Sequence, residues 1–280
     1  MRRFDKVDLG YEVAVSPVSG DSLVPIVFIN ALDTSQDQWD DVLTHLPGQP
    51  TITYDRPGIG ASGPLPSHLR DQPRTLGDLA DELRVLLDKL GIDTPHLVVG
   101  HSIGGLIALK YSERYADNTA GIVLVDATTL DHLGASTWPE HEGGEDKPGS
   151  SRLDPIGSFA EIQDAVWPPT PAVVVGSAVG RWLRLTPDEA EEYGPRTPEE
   201  LDEQWQQGQQ LLAEKIDALL VVADHAGHDI PTDQPELIAV GILAVIRAID
   251  DRSLVTIPAA QLRSAGGSTD RRSGGPRSPS

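Results

Sequence analysis

The chain has 280 residues, a formal net charge of −21 and no cysteine. That length suits one large α/β domain with a sizeable core, or less comfortably two small domains, and the missing thiol excludes disulfides, thiolate ligands and thiol nucleophiles. Residues 251–280 hold five arginines and two aspartates, so the first 250 carry 17 basic against 41 acidic residues, a net of −24. Such a surface repels nucleic acid and anionic membranes and disfavours polyanionic substrates; its simplest service is solubility.

The opening MRRFDKVDLG has two arginines with no apolar stretch behind them, so no signal peptide is expected there. No window approaches 18 uninterrupted apolar residues, so no membrane span is expected, and the protein reads as cytoplasmic. From Val24 to about Ile249 apolar runs alternate with helix-period segments. YEVAV (11–15) is expected to open the sheet as an antiparallel strand. PIVFIN (25–30), TITYD (51–55), HLVVG (96–100), GIVLVD (121–126), PAVVVG (171–176) and ALLVVAD (218–224) read as buried strands, being short, rich in Val and Ile, and bounded by turn residues.

The clearest helix between them spans 76–90, with leucines on one face, Thr75 and Asp78 as a capping box and Gly91 as its stop. Others are expected at 36–46, 104–116, 198–216 and 235–249. Alternating β and α segments predict an α/β fold, a mainly parallel sheet with helices on both faces. One domain over 1–262 is expected, with a short, loop-rich cap excursion at about 127–170 whose centre, 133–155, is too polar and too rich in Gly and Pro for a core element. Residues 263–280 read by composition as a disordered tail.

The segment LVVGHSIGG (97–105) places G-x-S-x-G between a strand and a helix, where a nucleophilic serine can sit on a strained turn facing a helix N-terminus. A Gly-rich turn with an incidental serine is the alternative. With GHSIGG, the loop TYDRPGIGASGP (53–64) and the ending AGHDIPTDQPELI (226–238), the chain resembles the α/β-hydrolase superfamily over roughly residues 8 to 250. GIGASG (58–63) also spells a dinucleotide-binding fingerprint, but Pro64 and Pro66 follow where a helix would have to open, so that reading is set aside.

The resemblance implies His228 as the base, with His225 a neighbouring loop residue. His225 and His228 make an H-x-x-H pair without a clear third ligand, so no metal is expected, and no cofactor. The family's usual place for the acid reads GSAV (176–179) here and holds Val179. The family's second arrangement puts the acid at the end of the strand after the nucleophile helix, which is Asp126, with Asp131 the alternative. A carboxylate there need only accept the histidine's Nδ1–H and stabilise the imidazolium.

The family's H-G after the third strand is replaced by Asn30-Ala31, and the backbone amides of Leu32 and Ile103 are the expected oxyanion donors. Asp33 is expected to face solvent or to cap the helix beginning near Gln36, Trp39 to pack in the core, and Trp138, Trp167 or Trp182 to line a pocket.

The resemblance implies a serine hydrolase that cleaves a small neutral carboxylic ester or lactone through an acyl-enzyme. Two other classes stay open: a non-catalytic receptor or carrier of a small ligand, favoured by the missing usual acid, and a lyase or perhydrolase using the same triad. A lyase would want a polar or cationic group in the cap, for which Lys147 is the candidate.

Overall fold

The computed structural model describes residues 2–4, 13–16, 24–65, 72–134, 152–191 and 193–269. Each of the six apolar runs forms a strand. In chain order the strands are β1 (Arg2–Phe4), β2 (Val13–Val15), β3 (Ile26–Ile29), β4 (Thr51–Tyr54), β5 (His96–His101), β6 (Thr119–Val125), β7 (Ala172–Gly176), β8 (Leu219–Ala223) and β9 (Gly267–Thr269). They join in one sheet of order β1-β2-β4-β3-β5-β6-β7-β8-β9. Strands β3 to β8 are mutually parallel, and β1, β2 and β9 run antiparallel to their neighbours.

The central strands are apolar throughout because both faces are covered. Val27, Val98, Ile122, Leu124 and Val174 enter one core, against α1 (Leu76–Lys89) and α2 (Ile103–Arg114). Phe28, Val99, Val123, Val125, Val173 and Val175 point the other way, into a second core. The second helix layer there includes α5 (Pro235–Asp251); α3 (Pro155–Ile162) and α4 (Pro198–Lys215) precede it in the chain. Helix α1 starts at the expected capping box, since Thr75 and Asp78 exchange side chain-to-backbone bonds, and the chain turns away at Gly91 with φ +71°.

Chain order reverses at β3: the chain steps outward to β4, then crosses back to β5 on the other side. The crevice beyond the carboxyl ends of β3 and β5 is therefore where a parallel sheet of this kind places a ligand.

Two expectations need correction. The chain from Arg263 to Thr269 is not a tail. The helix Ala259–Ser264 leads into β9, which pairs antiparallel with β8. Leu262 and Ala265 are buried in the second core, and Gln234 Nε2 donates to the carbonyls of Ala265 and Gly266. Two apolar side chains and an unpaired strand edge suffice to order a segment that composition reads as polar; residues 270–280 lie outside the described ones. The second correction concerns the cover over the sheet. Residues 135–151, with Trp138 and Lys147, lie outside the described residues. Within the described ones a second excursion, from Ser177 to Ala218 between β7 and β8, folds back as a small apolar cluster of Trp182, Ala190, Leu201 and Trp205. Among the described residues no helix is long and apolar enough to cross a membrane.

Candidate active site

Strand β5 ends at His101, and Ser102 stands at the turn into α2 with φ +55° and ψ −125°. A non-glycine residue with positive φ is strained and persists only where its surroundings hold it. The Ser102 amide donates to Val125 O, and its carbonyl accepts from Thr128 and Gly105. The two flanking glycines are there for space: a Cβ at Gly100 would lie 2.2 Å from Gly104 O, and one at Gly104 would lie 2.4 Å from Ile29 O.

His228 follows β8 and reaches back to the serine, its Nε2 lying 3.0 Å from Ser102 Oγ. Its Nδ1 lies 2.7 Å from Asp126 Oδ2. Asp126 stands at the end of β6 with φ +37° and is fully buried. Ser177 N–H and Trp205 Nε1–H both donate to its Oδ1 at 2.9 Å, and an Arg181 guanidinium nitrogen is 3.2 Å from Oδ2. Burial alone would raise the Asp126 pKa, but the Arg181 charge, the His228 contact and the Ser177 amide hold it well below the usual carboxylate range. Asp126 is thus the carboxylate brought to His228. Asp131 sits exposed in the first turn of Leu130–Leu133, and Val179 is exposed on the loop after β7.

Leu32 and Ile103 line the same cavity as Ser102 and His228. Ile103 is the first residue of α2, so its amide is one of the helix's unpaired N-terminal donors. The turn carrying Leu32 is held from beneath by Arg56, whose guanidinium donates to Asn30 O at 2.8 Å and Ala31 O at 2.5 Å. Asp33 differs from its expected placement. It lines the cavity with φ +54°, and Ser35 occupies the N-cap position of the short helix Gln36–Trp39. The Gln36 amide is taken instead by Asp55 Oδ1 at 2.6 Å. Trp39 is core, donating to Asn30 Oδ1.

His101, the residue between Gly100 and the serine, carried no assignment from sequence. Its Nε2–H donates to His228 O at 2.8 Å. Its Nδ1 accepts from the Gln38 amide nitrogen at 3.0 Å, and the Gln38 oxygen accepts from Ala31 N–H at 3.2 Å. This chain joins the loops that carry His228, Ser102 and Leu32. Burial pushes the His101 pKa down to about 3, so the ring is neutral.

Asp55 and Arg56 sit in the D-R pair of the motif at 53–64, a signal that marked the loop without revealing what its side chains hold. Arg181 and Trp205 had no sequence signal; Arg181 comes from the turn before the short helix Trp182–Arg184 and Trp205 from α4, which packs against β7 and β8. Of the tryptophans considered for the pocket, Trp182 lines it. Trp167 is instead buried in the first core, with Nε1 donating to Leu109 O. The backbone over 57–65 forms turns with no helix where the dinucleotide fingerprint would need one. His225 is exposed, and among the described residues no three His, Asp or Glu side chains gather as a metal ion would require.

A parallel sheet with a serine at the strand-to-helix turn after its fifth strand, and a histidine within reach, is the framework of the α/β-hydrolase superfamily. The chain has the fold of that superfamily. The family described as alpha/beta hydrolase fold matches residues 24–147. The uncharacterized protein YqjL of Bacillus subtilis is 32% identical over 122 residues, 43% of this chain and 46% of that protein, so the match spans about half of that relative. A thermophilic esterase from Thermogutta terrifontis, solved with malate bound, has a TM-score of 0.54 at 19% identity, covering 85% of this chain and 94% of that one. Est816, described as an N-acyl homoserine lactone degrading enzyme, has a TM-score of 0.53 at 21% identity, covering 82% and 95%. At these identities the solved structures speak for the fold.

Proposed function

We propose that the protein is a serine hydrolase that cleaves a small neutral carboxylic ester or lactone. The observation that carries this reading is the continuous contact from Ser102 Oγ through His228 to Asp126, at 3.0 Å and 2.7 Å. His228 Nε2 takes the serine proton as Oγ attacks the carbonyl carbon. The amides of Leu32 and Ile103 stabilise the oxyanion, and Asp126 holds the imidazole in the tautomer that leaves Nε2 basic. His228 then gives the proton to the leaving alkoxide, and an acyl-enzyme on Ser102 remains. The histidine next activates a water that releases the acid and restores the serine. In a lactone the leaving alkoxide stays attached to the acyl group, so a single hydroxy acid departs.

A cavity of about 790 Å³ above Ser102 has the size that accommodates a drug-sized molecule. The strongly acidic surface disfavours polyanions and suits a neutral substrate.

A fluorophosphonate probe tests the reading. Ser102 is expected to be labelled and the Ser102→Ala variant to stay unlabelled, with p-nitrophenyl esters hydrolysed only by the parent. A folded protein that leaves the probe untouched sinks the hydrolase and favours the small-ligand receptor.

A further inference from the structure

One wall of the cavity is made of rings. Trp205 stands edge-on to His228, 5.9 Å between centroids, so the wall begins beside the base. Trp182 is 5.6 Å from Trp205, and Tyr193 is 4.8 Å from Trp182 in a T-shaped contact. His132 closes the group, 5.7 Å from Trp205 and 6.0 Å from Tyr193. All four line the cavity.

The wall is built to stay in place. Asp202, on α4, accepts from the amides of Gly180 and Trp182 and fixes the turn between them. The Arg181 guanidinium lies over both indoles, 4.5 Å from the Trp182 centroid and 4.2 Å from that of Trp205. Trp205 Nε1 is committed to Asp126. Trp182 differs in one respect: it is 7% exposed, yet its buried Nε1 has no hydrogen-bond partner among the described residues.

We propose that this wall is the specificity surface of the site and receives the flat ring of an aryl-bearing ester or lactone. The proposal rests on the hydrolase reading and deepens it by naming the substrate class. Rings fixed at edge-to-face distances favour a further ring over an aliphatic group of equal bulk, because the positive edge of one matches the negative face of another. The cavity is also far larger than an acetyl group needs.

Binding to the Ser102→Ala protein, followed by ligand-observed NMR titration, separates recognition from turnover. Methyl benzoate is expected to bind about two- to tenfold tighter than methyl cyclohexanecarboxylate, the range that one aromatic contact supplies. Trp182→Phe, which keeps a ring at that place, is expected to retain the preference for methyl benzoate. Trp182→Leu and Tyr193→Leu each bring the benzoate-to-cyclohexane ratio toward one. Equal affinities for the benzoate and cyclohexane esters in Ser102→Ala overturn the proposal, whatever the other variants do. The fluorophosphonate result is independent of this comparison. Labelling of Ser102 without a ring preference removes the aryl subsite alone, and a ring preference without labelling removes the hydrolase and leaves the subsite.

Discussion

Asp126 satisfies four donors from four places in the chain: the Ser177 amide, the Trp205 indole, the Arg181 guanidinium and the His228 imidazole. A buried carboxylate needs such company to stay ionised, and only one of the four, His228, is the proposed base. The rest hold the carboxylate still, so that its Oδ2 can fix the tautomer of His228. Asp126→Asn keeps the shape but removes the charge, and an amide nitrogen turned toward Nδ1 would favour the wrong tautomer. A kcat lower by roughly three to four orders of magnitude with KM little changed is expected in steady-state ester hydrolysis. Near-normal turnover would move the acid elsewhere. Ser102 and His228 were legible because the spacing of G-x-S-x-G and the G-H before a proline-started helix are local patterns. Asp126 was legible through the resemblance, which offers the end of the strand after the nucleophile helix as a second place for the acid where the usual one holds Val179. Arg181 was not legible, because a charge that acts across 55 residues of sequence leaves no local pattern.

At the scale of elements, a strand at the edge of a sheet can be recruited by very little sequence. β9 is three residues long, and Leu262 on the preceding short helix is its principal apolar anchor. The edge of β8 would otherwise present unpaired backbone groups to solvent, a liability that native sheets cover. Leu262→Ala is expected to destabilise the protein by roughly 2–4 kcal/mol, as for other buried leucines, measured by denaturant midpoint. A change within about 0.5 kcal/mol, the range of an exposed position, would show that the segment contributes nothing.

The long periodic elements were legible because their patterns repeat: the leucine face of α1 and the Val/Ile runs of β5 to β8 signal themselves several times over. The wall of the cavity was not. The segment between β7 and β8 contributes Trp182, Tyr193 and Trp205 through loop turns and one helix, and their meeting depends on where α4 lands. The polar stretch at 133–155, most of it outside the described residues, drew attention away from this segment, because composition marks a loop without saying what it covers.

At the scale of the whole molecule, two buried histidines tie stability to pH. His96 is fully buried with its Nδ1 against Thr94 O, and burial pushes its pKa down to about 4; His101 is pushed down to about 3 by burial and the neighbouring His228. Unfolding returns both to about 6.5. Between about pH 6.5 and these folded values the unfolded chain therefore binds more protons, so stability must fall as the solution is acidified. Above 6.5 neither ring contributes a slope. Each proton taken up on unfolding contributes about 1.4 kcal/mol per pH unit, so the two together approach roughly 2.7 kcal/mol per unit near pH 5. The acidic surface pulls the other way, since protonating carboxylates relieves self-repulsion, but Asp and Glu titrate mostly below that, near pH 4. Asp126 adds to the acid sensitivity lower still: its folded pKa is depressed, so its stabilisation is present above the unfolded value near 4 and is lost as the pH falls toward the folded one. Urea unfolding at steps from pH 7.5 to 5 is expected to give a midpoint that is flat above 6.5 and falls steadily below it. His96→Gln should remove about half of the slope without touching the hydrogen bonds of the site. A midpoint unchanged between pH 7 and 5 would mean that both rings take up their proton in the folded state, and the chain from Ala31 through Gln38 and His101 to His228 would then require a different set of donors.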